Sequence, residues 1–196
     1  KLVLTQAQYD QFREDLSINQ ESFFGIWAVT DAPDISEDWD PVFRAACIEQ
    51  FDLDGNGKLS AIEAGKVSGT NATLVIDKDT PNVGDLKSLK GIENFKYLKN
   101  IYITGATALE DVDLSNQTYL TNLVLSLANG VKSLKFTDIV EWGDPVKVEL
   151  IFSDPAANVG PVTLDFSPLA SRLSSITIKN ASKLAEMNLA GCEKLA

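Results

Sequence analysis

An apolar pattern of the form L-x-x-L-x-L returns every eleven residues, and it limits the folds open to this chain more than any other feature. The units Leu98-Lys-Asn-Ile101-Tyr-Ile103, Leu109-Glu-Asp-Val112-Asp-Leu114, Leu120-Thr-Asn-Leu123-Val-Leu125 and Val131-Lys-Ser-Leu134-Lys-Phe136 follow one another without a gap. The same frame returns at Leu173-Ser-Ser-Ile176-Thr-Ile178 and Leu184-Ala-Glu-Met187-Asn-Leu189, and Leu195 opens a further unit. An eleven-residue period lies close to three α-helical turns, so a right-handed helical coil is one solution. The linkers argue against it. Gly105-Ala-Thr107, Ser115-Asn-Gln-Thr118 and Lys179-Asn-Ala-Ser182 are turn formers or poor helix formers, and the apolar positions favour Ile and Val, which suit strands.

Each unit therefore reads as a short strand followed by a turn, with two units closing one coil of 22 residues, inside the range of leucine-rich repeats. An antiparallel meander is the alternative. The charges offer a check, because residues one coil apart should stack side by side. Glu110 would meet Lys132 and Asp113 would meet Lys135, both of opposite sign, while Asn100 would meet Asn122 and Thr104 would meet Ser126. Residues between the apolar positions point outward, and alternate units face opposite sides. One side then carries Asn100, Tyr102, Thr104, Asn122, Val124 and Ser126, an uncharged surface suited to protein or glycan contact; the other carries Asp111, Asp113, Ser133 and Lys135.

Ahead of the repeats, Asp52-Leu-Asp-Gly-Asn-Gly-Lys-Leu-Ser-Ala-Ile-Glu63 has the donor spacing of a twelve-residue EF-hand calcium loop. Asp52, Asp54 and Asn56 supply side-chain oxygens at positions 1, 3 and 5. Lys58 offers a backbone carbonyl at position 7, and Glu63 a bidentate carboxylate at position 12. Gly57 stands at position 6, where the sharp turn resists a side chain. Pro41 following Asp40, with Val42, Phe43, Ala46, Cys47 and Phe51, predicts a helix entering this loop, and 61–67 a short exit helix. Residues 5–17 predict an amphipathic helix with Thr5 and Gln8 as a capping pair. The stretch 28–40 carries five acids and Pro33 and reads as a solvated loop, with a second cation site as a lesser alternative. Trp27 and Trp39 are expected to pack the cap on the first coil.

The chain has 196 residues, a net charge of −11 and no histidine. The charge argues against nucleic acid, which calls for clustered Lys and Arg. Without histidine, a Ser-His-Asp nucleophile, a His-based zinc site and an imidazole base are all excluded. Catalysis would have to rest on carboxylates or lysine alone, and no cleft motif accompanies the paired acids that glycosidase-type chemistry needs. Cys47 and Cys192 show no metal or redox spacing and read as two buried apolar residues. No run is long enough to span a membrane, and Lys1-Leu-Val-Leu4 is too short for a signal peptide's apolar core.

Asp52–Ser60, the entry phrase Leu86-Lys-Ser-Leu-Lys-Gly-Ile-Glu-Asn-Phe-Lys-Tyr-Leu98 and Val112-Asp-Leu-Ser-Asn116 together resemble secreted or lipid-anchored bacterial leucine-rich repeat proteins in which an EF-hand-like segment precedes the array. The resemblance covers roughly 40–196 and implies an extracellular binding scaffold. Two departures stand out. The repeat's usual ninth-position Asn or Cys is Ala106, Gln117, Ala128 and Ala181, with Cys192 alone conforming, and the array is interrupted between about 138 and 172, where Trp142-Gly-Asp-Pro145 and Ser153-Asp-Pro155 break the period and leave strand-like Val146–Phe152 and Val162–Phe166. The expected fold is α+β: a helical EF-hand-like cap over 1–70 and a leucine-rich repeat solenoid over 71–196. The expected function is a non-enzymatic, calcium-stabilised binding module at the cell surface with a protein or glycan ligand. A calcium-stiffened spacer of a larger surface protein is the alternative.

Overall fold

The computed structural model describes residues 2–16, 26–29, 31–137, 144–153, 156 and 159–195. It shows a β-solenoid of about four turns. Strands β3 (Thr73–Ile76), β4 (Asn100–Thr104), β6 (Asn122–Ser126), β8 (Val146–Ile151) and β10 (Leu173–Lys179) form one five-stranded sheet in the order β10-β8-β6-β4-β3. Between them run β5 (Asp111–Leu114), paired with β7 (Ser133–Phe136), and β9 (Thr163–Asp165), paired with β11 (Glu186–Asn188). Every ladder is parallel, which removes the meander, since antiparallel neighbours are what short turns would have joined.

The 22-residue coil is present where the repeat is regular. Asn100 pairs with Asn122, Tyr102 with Val124, Thr104 with Ser126 and Asp113 with Lys135. Alternate residues turn inward, so Ile101, Ile103, Leu123, Leu125, Val112 and Leu114 are buried from both sides in one core. The interruption expected at 138–172 does not interrupt the solenoid. β8 joins the five-stranded sheet between β6 and β10, and β9 pairs with β11. Arg172, almost wholly buried, helps lock this irregular part by donating to the carbonyls of Asp144 at 2.7 Å and Leu120 at 3.3 Å. At the ninth repeat position Ala106 and Ala128 simply fill space, whereas Gln117 Nε2 donates to the Ile92 carbonyl of a neighbouring coil at 2.9 Å and Cys192 Sγ to that of Phe166 at 3.8 Å. Trp142 lies outside the described residues.

The region ahead of the solenoid is mixed and not purely helical. β1 (Leu2–Leu4) runs parallel to β2 (Ile26–Val29), and the three helices among the described residues are α1 (Gln6–Leu16), α2 (Pro41–Phe51) and α3 (Ala61–Lys66). Thr5 and Gln8 cap α1 reciprocally, as their spacing predicts. Asp40 caps α2 through the N–H groups of Val42 at 2.9 Å and Phe43 at 3.3 Å, with Pro41 in the first turn. The buried face of α2, with Phe43, Cys47 and Phe51, closes the first coil. The rings of Phe51 and Trp39 lie 5.2 and 5.9 Å from that of Phe95. Gly91, at φ +104°, is the docking point: a Cβ there would stand 2.1 Å from the Trp39 ring. The side chain of Trp27 lies outside the described residues.

Burial holds the Cys47 thiol far above its ordinary pKa, whereas Cys192, expected to be buried too, is half-exposed at the last turn. No helix among the described residues is long and apolar enough to cross a membrane.

α2 also seals the edge of β3. The Gln50 carboxamide accepts from the Val75 N–H at 2.9 Å and donates to the Val75 carbonyl at 2.8 Å, the two bonds a neighbouring strand would have made.

Candidate metal centre and neutral face

Residues 52–63 fold as a loop between two helices because each end is fixed by a capping arrangement. Asp52 ends α2, its N–H donating to the Ile48 carbonyl. Ser60 starts α3 in a full capping box with Glu63. Between them Asp52 gathers the loop backbone, its Oδ1 accepting from Gly55 at 2.8 Å and Asn56 at 3.3 Å and its Oδ2 from Gly57 at 2.8 Å. Gly57 has φ +75°, the left-handed conformation its position calls for.

The result is a convergence of charge. Asp52, Asp54 and Glu63 each place a carboxylate oxygen within 4.8 Å of the others. Glu63 is buried; Leu53 donates its N–H to Oε1 at 2.9 Å, and Ser60 donates both N–H and Oγ–H to Oε2 at 2.9 Å. Asn56 bridges to Asp54 through Nδ2 at 3.1 Å, while its Oδ1 accepts from the Lys58 N–H at 2.8 Å. Burial, with the neighbouring charges of Glu63 and Asp52, raises the Asp54 pKa against the opposing pull of the Asn56 N–H. A divalent cation would relieve that repulsion, and the donors are hard oxygens, the set that calcium takes. Asp52, Asp54, Asn56 and Lys58 thus lie in the loop and Glu63 in the first turn of α3, with the three carboxylates brought together.

The acidic stretch before α2 is only in part the solvated loop its composition suggests: 31–40 is irregular and Asp31, Glu37 and Asp38 are exposed. Residues 28 and 29 belong to β2, and Asp34 is turned inward with its side chain 4% exposed. Its carboxylate accepts from Ser36 N–H at 2.8 Å, Ser36 Oγ at 2.6 Å and Arg44 at 3.0 Å. These bonds outweigh the cost of burial and bring its pKa down to about 2. Arg44 also donates to the Gly57 carbonyl at 3.3 Å, and Ile35 N–H to the Leu59 carbonyl at 2.8 Å, so this stretch braces the 52–63 loop from outside. No sequence signal short of a contact map marks that brace. Asp38 pairs with Lys90 and Asp40 is occupied at the helix cap, which leaves no second acidic cluster with metal-ligand geometry among the described residues.

Asn100, Tyr102, Asn122 and Val124 share one outward face of the five-stranded sheet, all partly exposed. The two asparagines are rungs of a hydrogen-bonded row: Asn122 Nδ2 donates to Asn100 Oδ1 at 2.6 Å, and Asn100 Nδ2 to Thr73 Oγ1 at 3.0 Å. Beside it runs an apolar column of Val75, Tyr102 and Val124 in lateral register, and beyond that Thr104 pairs with Ser126. Tyr97 and Tyr119, one coil apart, lie with ring centroids 5.4 Å from each other at the head of β4 and β6. Sequence reasoning missed this pair and missed Val75, although the 22-residue stacking test that matched Glu110 with Lys132 would have found the tyrosines. Comparison with protein-family models and with curated proteins gives no match.

Proposed function

We propose that the protein is a non-enzymatic binding module of the extracellular space or cell surface, with a structural calcium ion in the 52–63 loop and the β3-β4-β6 face as its ligand surface. The observation that carries the calcium reading is the meeting of Asp52, Asp54 and Glu63 within 4.8 Å in a loop whose backbone is already gathered around Asp52. The ion's role in this reading is to hold the junction between α2 and α3, and with it the cap that covers the first coil. Several other carboxylates are committed to bonds of their own, Asp34 to Arg44, Asp40 to a helix cap, Glu110 and Asp113 to lysines, which favours binding over acid–base chemistry.

Calorimetry tests the ion directly. One calcium should bind with a Kd on the order of 10⁻⁵ to 10⁻³ M, and Glu63→Ala should abolish the heat. Calcium near its saturating level should raise the melting temperature of the wild type and leave Glu63→Ala unmoved. Absence of heat at millimolar calcium, or unchanged binding in the variant, removes the assignment. The spacer reading shares the calcium dependence but assigns no ligand to the face, so surface variants separate the two.

A further inference from the structure

We infer that the β3-β4-β6 face takes an extended, uncharged polysaccharide chain lying across the strands, with its apolar ring faces on the Val75–Tyr102–Val124 column and its hydroxyls on the amide row. The inference rests on the binding-module reading and names its ligand class.

Charge comes first. The chain carries a net charge of −11, yet the outward side chains of β3, β4 and β6 include no acid and no base; charge returns at Lys147 and Glu149 on β8 and Lys179 on β10. A cationic ligand would find no carboxylate here, and an anionic polymer would be repelled by the rest of the molecule. A neutral ligand meets neither obstacle.

Order comes next. Hydrogen bonds to sugar hydroxyls replace hydrogen bonds to water, so a surface gains from them chiefly when its own groups are already held in place. Asn100 and Asn122 are held in this way by the row that begins at Thr73, and the Thr121 hydroxyl adds a further bond to Asn100 Oδ1 at 3.1 Å. The rows repeat at the strand spacing of about 4.8 Å. That is close to the advance of one pyranose ring along an extended β-linked chain, so successive rings would meet the same columns. The aromatic ring of Tyr102 stands in the middle column, and Tyr119, 37% exposed, lies beyond the head of the row.

A protein partner fits less well. Protein interfaces draw their energy from a cluster of contiguous apolar or aromatic anchors, whereas here a single apolar column is bordered by rows of amides and hydroxyls.

Affinity electrophoresis of the calcium-loaded protein in gels containing hydroxyethylcellulose or glucomannan, with polygalacturonate as the anionic control, tests the proposal. Retardation is expected in at least one neutral gel and not in polygalacturonate, and Tyr102→Ala should weaken it about tenfold. Val124→Lys, also outward-facing, should do the same if the wild-type melting temperature is retained, while Asp113→Ala on the opposite side should change nothing. No retardation by either neutral polymer, or equal retardation of wild type and Tyr102→Ala, overturns the proposal. Capture from a cell-envelope fraction that survives periodate but not protease assigns the face to a protein and overturns it as well. Calcium calorimetry reports independently, so loss of the glycan would leave the metal reading standing.

Discussion

The carboxylates of the region around α2 and those of the β5-β7 face are the same chemical groups put to opposite use. Asp34 is turned inward and held by Ser36 and Arg44; Asp40 caps a helix and also accepts from the Lys87 N–H at 3.0 Å. On β5 and β7, Asp113 meets Lys135 at 3.8 Å and Glu110 meets Lys132 at 2.7 Å, all with more than half of the side chain in water. The first set fixes single, non-repeating contacts between distant parts of the chain. The second decorates a ladder whose register the apolar residues already determine. A charge should therefore matter where it joins elements that nothing else aligns, and matter little where it follows a repeat.

Asp34→Ala tests the first half of this contrast and should have the largest effect, about 2–4 kcal/mol in urea denaturation at pH 7, since it removes the ion pair with Arg44 and leaves the buried Ser36 donors without their acceptor. Because folding lowers the Asp34 pKa from 3.8 to about 2, its contribution is complete above pH 4 and disappears as the pH falls through 2. The gap between wild type and Asp34→Asn should narrow over that window. Asp40→Ala should cost about 1 kcal/mol, the ordinary value of a lost helix cap, and should lower the melting temperature accordingly.

The smallest effect belongs to the sheet. A double-mutant cycle on Asp113 and Lys135 should give a coupling of about 0.2–1 kcal/mol that fades in high salt. The Asp113 pKa is lowered chiefly by the Ser115 hydroxyl and N–H, with Lys135 a lesser contributor, so an NMR titration of Lys135→Ala should retain most of the depression. If Asp113→Ala destabilised the protein as much as Asp34→Ala, the contrast would be broken.

What the sequence disclosed follows the same division. The coil length, the outward and inward sets and the pairing of Asn100 with Asn122 were legible because a repeat states each of them several times over. The donor spacing of 52–63 was legible because the loop is contiguous. Contacts stated once were not: Gln50 with Val75 across 25 residues and Asp40 with Lys87 across 47 have no second instance to reveal them, and although Trp39 packs the cap on the first coil as expected, its seat on Gly91 was not legible. β3 was missed for a related reason. Val75 pairs with Tyr102 across a longer coil, so Leu74 and Ile76 fall outside the eleven-residue frame even though they are buried as fully as the strands inside it. Within 138–172 the period fails, yet the strand-like stretches Val146–Phe152 and Val162–Phe166 were legible and become β8 and β9; their place in the stack was not, because no repeat states it.

The two sides of the solenoid also differ in continuity. Five strands on one side form an unbroken ladder, whereas on the other β7 and β9 meet through side chains, the rings of Phe136 and Phe166 lying 5.7 Å apart, and no ladder joins them among the described residues. Backbone hydrogen bonds resist sliding because each has one partner and one length; packed rings tolerate small displacements. The molecule is thus stiff along its neutral face and has a shear seam along its back. Bending stress would open or close at that seam, leaving the spacing of the neutral columns unchanged, as a ruler with a hinge behind it keeps its graduations.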